Sequence, residues 1–304
     1  MDVICIGHAA FDLSLVLDAY PAEDSKHEVD RWLESGGGPA ANAAYLLGKW
    51  GAKVCFCGRV GCDQYADRIG AEFDEVGVDR TQLEFSDQAT TPVSTIVVNR
   101  QNGSRTIINR GANIAGCAFE RTAESPKVLL FDGHQLGASL AALEDYPDAI
   151  SILDAGSVRE GTIELAKRVD FLIASRRFAQ QWFNDSELSD EATACSRLAA
   201  MNPGVTAITL GERGCVYTDG EAVQQLPAEK VVAVDTTAAG DIFHGAFAFA
   251  CTRKMSVRQS LVFATRAAGL SVTRLGGRQS IPELKEVESG GDTPRGDEND
   301  ERIQ

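Results

Sequence analysis

A carboxylate set among small residues at the mouth of a helix gives this chain the parts for phosphate chemistry. The stretch Asp235-Thr236-Thr237-Ala238-Ala239-Gly240-Asp241 leads from a β-type run, Val231 to Val234, into a long apolar helix pattern, Ile242 to Cys251. A helix that begins there leaves backbone N–H groups without partners, which makes a ready anion site. Alanine and glycine let an anion approach the backbone closely. Amide donors for a phosphate beside a base for a hydroxyl are the minimum for phosphoryl transfer. Taken alone, Asp241 reads as well as a helix N-cap, a position aspartate favours.

The elements that must position these groups follow an alternating rhythm. Val3 to Gly7 reads as a buried first strand. Gly36-Gly37-Gly38-Pro39 breaks the chain before a helix over Ala40 to Trp50, a strand over Ala52 to Cys57 and a helix over Tyr65 to Val76. From Lys127 onward strands (Val128–Phe131, Ala149–Leu153, Phe171–Ile173, Thr206–Leu210, Cys215–Thr218) alternate with helices such as Gly161–Arg168 and Glu191–Met201. This predicts the α/β class: a doubly wound, mostly parallel sheet with helices on both faces. Residues 14–35 and 89–112 break the rhythm. The second carries a hairpin signal, Asn102-Gly103, between Val93–Asn99 and Arg105–Asn109. Together they suggest a small antiparallel β lid. The expected division is a core of 1–13, 36–88 and 113–286, a lid of 14–35 and 89–112, and a disordered tail over 287–304, where apolar pattern ends.

Charge and cysteine usage narrow the partners. The 304 residues carry a formal charge of −15, which argues against nucleic acid or an anionic membrane. Any polyanionic substrate then needs local help from metal ions, helix N-termini or placed basic residues. The eight cysteines are scattered, no secretory signal is evident and no apolar stretch spans a bilayer, so the expectation is a reduced, cytoplasmic protein. Cys55, Cys57 and Cys62 cluster without the second Cys or His pair that zinc spacing requires.

Two motifs in order make the chain resemble the ribokinase, or PfkB, family of carbohydrate kinases. One is Gly36-Gly37-Gly38-Pro39-Ala40-Ala41-Asn42, continuing to Gly58-Arg59-Val60-Gly61-Cys62-Asp63; the other is Asp235 to Asp241. The likeness spans about residues 1–285. It implies an ATP-dependent sugar kinase that uses Mg²⁺ and K⁺, with a homodimer formed through the lid. It implies Asp241 as the base, with the backbone of Ala238, Ala239 and Gly240 as the anion hole. For the sugar it implies Asp12, Gly37, Gly38 and Asn42, and for the nucleotide Thr209, Gly211, Gly214 and Thr236. Asp235, Thr237 and Ser280 match a monovalent-cation loop. The family's Asn-x-x-Glu is replaced here by Ser175-Arg176-Arg177-Phe178, which leaves Mg²⁺ to the nucleotide phosphates and water. Pro39 and Ala10 replace a common Lys and Asn, which speaks against ribose itself.

Segments 18–25 and 103–107 resemble ketohexokinases; 36–41, 243–246 and 273–282 resemble sulfofructose kinases. Both likenesses imply transfer to a primary hydroxyl of a ketose or ketose derivative. In the latter group the positions of Lys26, Asn109 and His134 meet the sulfonate, the third usually as Arg. A nucleoside kinase, with Trp32 as a stacking partner, or a sugar-phosphate kinase is the alternative within the family. A non-catalytic sugar- or nucleotide-binding regulator is the alternative outside catalysis.

Overall fold

The computed structural model describes residues 1–111, 114 and 116–289. Residues 112 and 113, at the expected lid–core boundary, and 290–304 of the expected tail lie outside the described residues.

In chain order the elements are β1 (Val3–Ile6), β2 (Ala10–Leu17), β3 (Trp32–Gly37), α1 (Pro39–Lys49), β4 (Val54–Gly61), α2 (Gln64–Glu75), β5 (Asp79–Ser86), β6 (Val93–Asn99) and β7 (Arg105–Arg110). Then come β8 (Val128–Phe131), α3 (Leu136–Asp145), β9 (Ile150–Ala155), α4 (Glu160–Leu165), β10 (Phe171–Ser175), α5 (Arg176–Phe183), α6 (Glu191–Ala199) and β11 (Val205–Thr209). The chain closes with β12 (Cys215–Thr218), β13 (Gln224–Leu226), α7 (Ala239–Thr252), α8 (Val257–Ser271) and α9 (Leu284–Glu288).

Strands with continuous apolar runs form the centre of a nine-stranded sheet ordered β13-β12-β11-β10-β9-β8-β1-β4-β5. They are apolar throughout because both faces are covered. On β1, Val3 and Cys5 pack into the core with α1, α2, α7 and α8, whereas Ile4 and Ile6 pack into the core with α3 to α6. All pairings from β5 to β11 are parallel; β12 and β13 add antiparallel edges, turned by Gly214. From β1 the chain moves outward one way through β4 and β5, then returns to β8 and builds the other way. Such a reversal opens a crevice at the strand ends, here between β1 and β8.

The second sheet is ordered β3-β2-β6-β7. Its outer pairings are antiparallel as expected, but its central pair, β2 with β6, is parallel. The reason is connectivity: between β2 and β6 the chain passes through the core as α1, β4, α2 and β5, a crossover that permits parallel strands. The run Val231 to Val234 is not a strand. Val232 is 85% exposed, and the amides of Val234 and Asp235 both donate to the Val272 carbonyl. A β-branched run forms a strand only where neighbours and a packing face exist. Val287 and Glu288, expected in the tail, belong to α9, where Val287 is buried.

Helix α7 is buried from Ile242 to Cys251, which anchors its N-terminus at the crevice. On the other side, two backbones touch: an added Cβ at Gly161 would lie 2.0 Å from the Gly133 carbonyl oxygen. This contact fixes the loop after β8 against the start of α4. Gly161→Ala is therefore expected to cost roughly 1–3 kcal/mol. Urea unfolding measures it; an unchanged midpoint would contradict the close approach.

Candidate active site

The crevice is organised first by carboxylates lying on glycine backbone. Asp132, at the end of β8, accepts the amides of His8 (2.7 Å), Ala40 (3.2 Å) and His134 (2.9 Å). Burial opposes its ionisation, but His134 and these amides outweigh it and hold the carboxyl below the usual range. An added Cβ at Gly7 would fall 2.2 Å from its Oδ1. Asp12, on β2, likewise covers Gly37, where a Cβ would meet Oδ2 at 2.1 Å. Burial pushes the Asp12 carboxyl up to about 6, against the Ser94 hydroxyl and the Arg278 charge. Gly38 has φ 95°, and its Cβ position lies 2.5 Å from the His8 carbonyl oxygen. Only glycine satisfies both conditions.

Helix α7 supplies the opposite wall. Its N-cap, Ala238, sits at φ 59°, a left-handed conformation that costs an alanine about 1–2 kcal/mol. No side chain caps the helix. The Ala239 amide makes a long bond of 3.4 Å to Thr236, while those of Gly240 and Asp241 have no acceptor among the described residues. Asp241 thus stands in the first turn beside open N–H groups, where an anion is favoured.

One side chain joins the two walls. Asn42 Nδ2 donates to Asp241 Oδ2 at 2.7 Å, across 199 residues of sequence. The orientation of the Asn42 amide is set from behind: Arg278 Nε donates to its Oδ1 (3.3 Å), and Arg278 Nη1 pairs with Glu72 Oε2 (2.7 Å). Arg278 is 3% exposed and lies over the Tyr45 and Phe73 rings. Glu72 also accepts the Gly36 amide through both oxygens. A relay of Glu72, Arg278, Asn42 and Asp241 therefore ties the glycine turn to α7.

Burial, with the charge of Asp154 next, pushes the Asp241 carboxyl up to about 7, against the Asn42 bond. Asp154, at the end of β9, is driven up to about 7 by burial and then by Asp132. Its Oδ2 is 3.2 Å from His244 Nδ1, which also faces the Gly240 carbonyl at 2.6 Å; His244 Nε2 faces the Ile173 carbonyl at 3.2 Å. Burial lowers the His244 imidazole despite those carbonyls. Buried carboxyls raised in turn, Asp154 by Asp132 and Asp241 by Asp154, define a site where one proton is readily held or released.

The remaining expected residues divide. Asp235 is fully buried: Oδ1 accepts from the Thr237 amide and hydroxyl, and Oδ2 from the Gly276 amide at 2.8 Å. This brings Asp235, Thr237 and the loop carrying Ser280 together; the Ser280 hydroxyl donates to Gly277. Thr236 is held by the hairpin, its hydroxyl bonding Arg105 Nη1 (2.7 Å) and the Gly103 carbonyl (3.2 Å). Thr209 closes β11, and Gly211 and Gly214 have positive φ in the turn after it. No hydrogen bond among the described residues joins that turn to Asp241. His134 lies in the crevice, stacked on His8 with ring centroids 4.5 Å apart. Lys26 and Asn109 are exposed on the small-sheet side, and neither hydrogen-bonds to His134. Sequence reasoning missed Glu72, Asp154 and Arg159, and gave Arg278 no role of its own; its place two residues before Ser280 in the cation-loop likeness was the available signal.

The folded pKa of Asp154 lies above its unfolded value of 3.8, at about 7, so the folded chain holds the extra proton across that window. Its contribution to stability therefore worsens as pH rises toward 7. Asp154→Asn is expected to gain roughly 1–3 kcal/mol over the parent at pH 8 and much less at pH 5. Thermal unfolding at both values tests this; an equal gain at both would contradict it.

Comparison with known proteins then fits the geometry. The model of the pfkB family carbohydrate kinases matches residues 1–284. A ribokinase of Lactococcus lactis is 29% identical over 266 residues, covering 83% of this chain and 84% of that protein. The ketohexokinase of Mus musculus is 26% identical over 285 residues, covering 88% and 94%. A solved structure from Agrobacterium tumefaciens has a TM-score of 0.84 at 27% identity, covering 95% and 96%. The Arabidopsis thaliana ribokinase complexed with ribose and ATP has a TM-score of 0.77 at 22% identity, covering 95% and 97%, a likeness of fold.

Proposed function

This chain belongs to the pfkB family of carbohydrate kinases, and from that premise we propose that it phosphorylates a primary hydroxyl of a ketose or ketose derivative with ATP. The observation that carries the reading is Asp241, poised beside open amides of α7 and held by Asn42 from the opposite wall. The likeness to ketohexokinase supports a ketose acceptor.

In the proposed reaction the acceptor hydroxyl attacks the γ-phosphorus in line. The bond to the β–γ bridging oxygen breaks, and ADP leaves. Asp241 takes the hydroxyl proton late, as a loose transition state allows. The amides of Ala239, Gly240 and Asp241 bind the charge on the transferring group, with Ala238 setting their direction. Asp12, Gly37, Gly38 and Asn42 orient the sugar; Thr209, Gly211, Gly214 and Thr236 are assigned to the nucleotide. Mg²⁺ bound with ATP would neutralise phosphate charge. The end of β10 offers it no carboxylate, because Ser175 caps α5 and Arg176 is committed to Glu187 and Glu191. The phosphates and water would therefore hold the metal. The buried oxygens of Asp235, Thr237 and Ser280 suit a monovalent cation such as K⁺.

The small sheet, with residues 14–35 and 89–112, acts as the lid that excludes water. Its outer strands expose Trp32 (55%), Ile107 (47%) and Ile108 (60%), which supports a homodimer that covers them. No helix among the described residues is long and apolar enough to cross a membrane; we assign the enzyme to the cytoplasm.

With ATP, Mg²⁺, K⁺ and a panel of ketoses, pentoses and nucleosides, phosphate transfer to a ketose is expected. Transfer to none of them would end the proposal. Asp241→Asn should reduce kcat by ~10²–10⁴ while ATP still binds. The parent rate should fall as pH drops below about 7, where Asp241 takes up its proton. A rate flat from pH 5 to 8 would contradict a base of that kind.

A further inference from the structure

We propose that Arg159, held in place by His134, binds an anionic group on the sugar acceptor, a carboxylate, sulfonate or phosphate remote from the hydroxyl served by Asp241. The inference rests on the kinase reading and adds the chemical class of its substrate.

Arg159 stands out by what it lacks. The other arginines that are buried or half-buried, Arg59, Arg80, Arg176, Arg266, Arg274 and Arg278, each have a carboxylate oxygen within 4 Å. Arg159 is half-buried and has no such partner among the described residues. In a chain of charge −15 carboxylates are plentiful, so a guanidinium kept clear of them is a local arrangement. An arginine has five N–H donors in a fixed fork. Here Nη1 contacts Nε2 of His134, and Nη2 donates to the Ser157 hydroxyl at 2.7 Å. Each terminal nitrogen retains a second N–H, and Nε is sealed from solvent without an acceptor.

The nearby acids do not consume this charge. Asp132 is saturated by three backbone amides, and Asp154 is turned toward His244. Both lie beyond 4 Å from the guanidinium. His134 Nε2 is the acceptor that faces the guanidinium, and its Nδ1 lies 3.1 Å from Asp132 Oδ1 without forming a hydrogen bond there. His134 is thus a positioning residue that aims Arg159, and the free donors belong to Arg159.

The backbone beneath Arg159 is rigid. Its amide donates to the Thr162 hydroxyl (3.0 Å), which also donates to the Ser157 carbonyl (3.0 Å), and Gly161 is pressed against Gly133. The position suits the far end of a bound sugar. Arg159 and His134 act on the charge of Asp154, and Asp154 acts on that of Asp241. Contacts place the groups in a row: Arg159 touches His134, His134 Nδ1 is 3.1 Å from Asp132 Oδ1, Asp132 accepts the Ala40 amide at the start of α1, and Asn42 of the same helix reaches Asp241. A preset cationic fork at one end and a base at the other select an elongated acceptor with an anionic terminus.

The test is isothermal titration of the full chain with fructose, fructose 6-phosphate, 6-deoxy-6-sulfofructose and a 2-keto sugar acid, beside turnover of each with ATP and Mg²⁺. At least one anionic sugar should bind about tenfold or more tightly than fructose. In Arg159→Met that ratio should collapse to near unity. In Arg159→Lys, which keeps the charge and loses the fork, it should be intermediate. The sugar that shows the ratio tells carboxylate, sulfonate and phosphate apart. Equal binding of neutral and anionic sugars by the parent, or a ratio that survives in both variants, would overturn the proposal. Arg159-dependent binding without phosphate transfer to any sugar would uphold the anion site and sink the kinase reading; transfer without a ratio would do the reverse.

Discussion

A single carboxamide spans the two halves of this molecule's chemistry. Asn42 starts the helix after the glycine turn, and Asp241 starts the helix after the alanine–glycine turn; the hydrogen bond between them sets the distance between sugar side and phosphate side. An amide can present either its oxygen or its nitrogen. Arg278 removes that freedom by claiming the oxygen, which leaves the N–H₂ for Asp241. The bond is thus no stronger than other neutral-to-charged ones, but it is directed. Its direction depends on a buried ion pair with Glu72, whose other contact is the backbone of Gly36. Buried ion pairs contribute little net stability and contribute geometry instead.

The same economy recurs around the crevice. Glycines at 7, 37 and 38 are there because carboxylates or carbonyls occupy the space of a side chain. Asp132 and Asp12 are brought to the backbone so closely that no methyl group fits between. The outcome is a row of acids in different states: Asp132 held ionised by His134 and amides, Asp154 pushed upward by burial and Asp132, and Asp241 by burial and Asp154. An acidic chain that must bind phosphates places its donors in backbone N–H groups, which carry no net charge. Of the buried and half-buried arginines among the described residues, Arg159 alone is kept clear of carboxylates.

Much of this was legible in the sequence because it rests on local pattern. Short apolar runs such as Val3–Ile6 and Val128–Phe131 read as strands covered on both faces, and the longer run Ile242–Cys251 as an internal helix. The ordered glycine motifs carried the family. Where pattern misled, the cause was non-local. Val231–Val234 has the residues of a strand without a neighbour to pair with. Asp79–Ser86, where the pattern assigned no element, is a strand because β4 lends it an edge. The parallel pairing of β2 and β6 follows from a crossover through the core. The supports of the site were not legible for the same reason: Arg278 meets Glu72 across 206 residues, and His244 meets Asp154 only once α7 is buried behind β9. Charge alone says that an arginine exists; only packing says that it is buried, paired or kept free.

The account stands or falls on whether Arg278 acts through Asn42 on Asp241. The most direct measurement is a double-mutant cycle on kcat/KM with Asn42→Ala, Arg278→Met and the double variant. If Arg278 serves to aim Asn42, the double variant should be about as slow as Asn42→Ala alone, with a coupling of roughly 1 kcal/mol or more. Losses that simply multiply would mean that the two residues act independently and that no relay reaches the base.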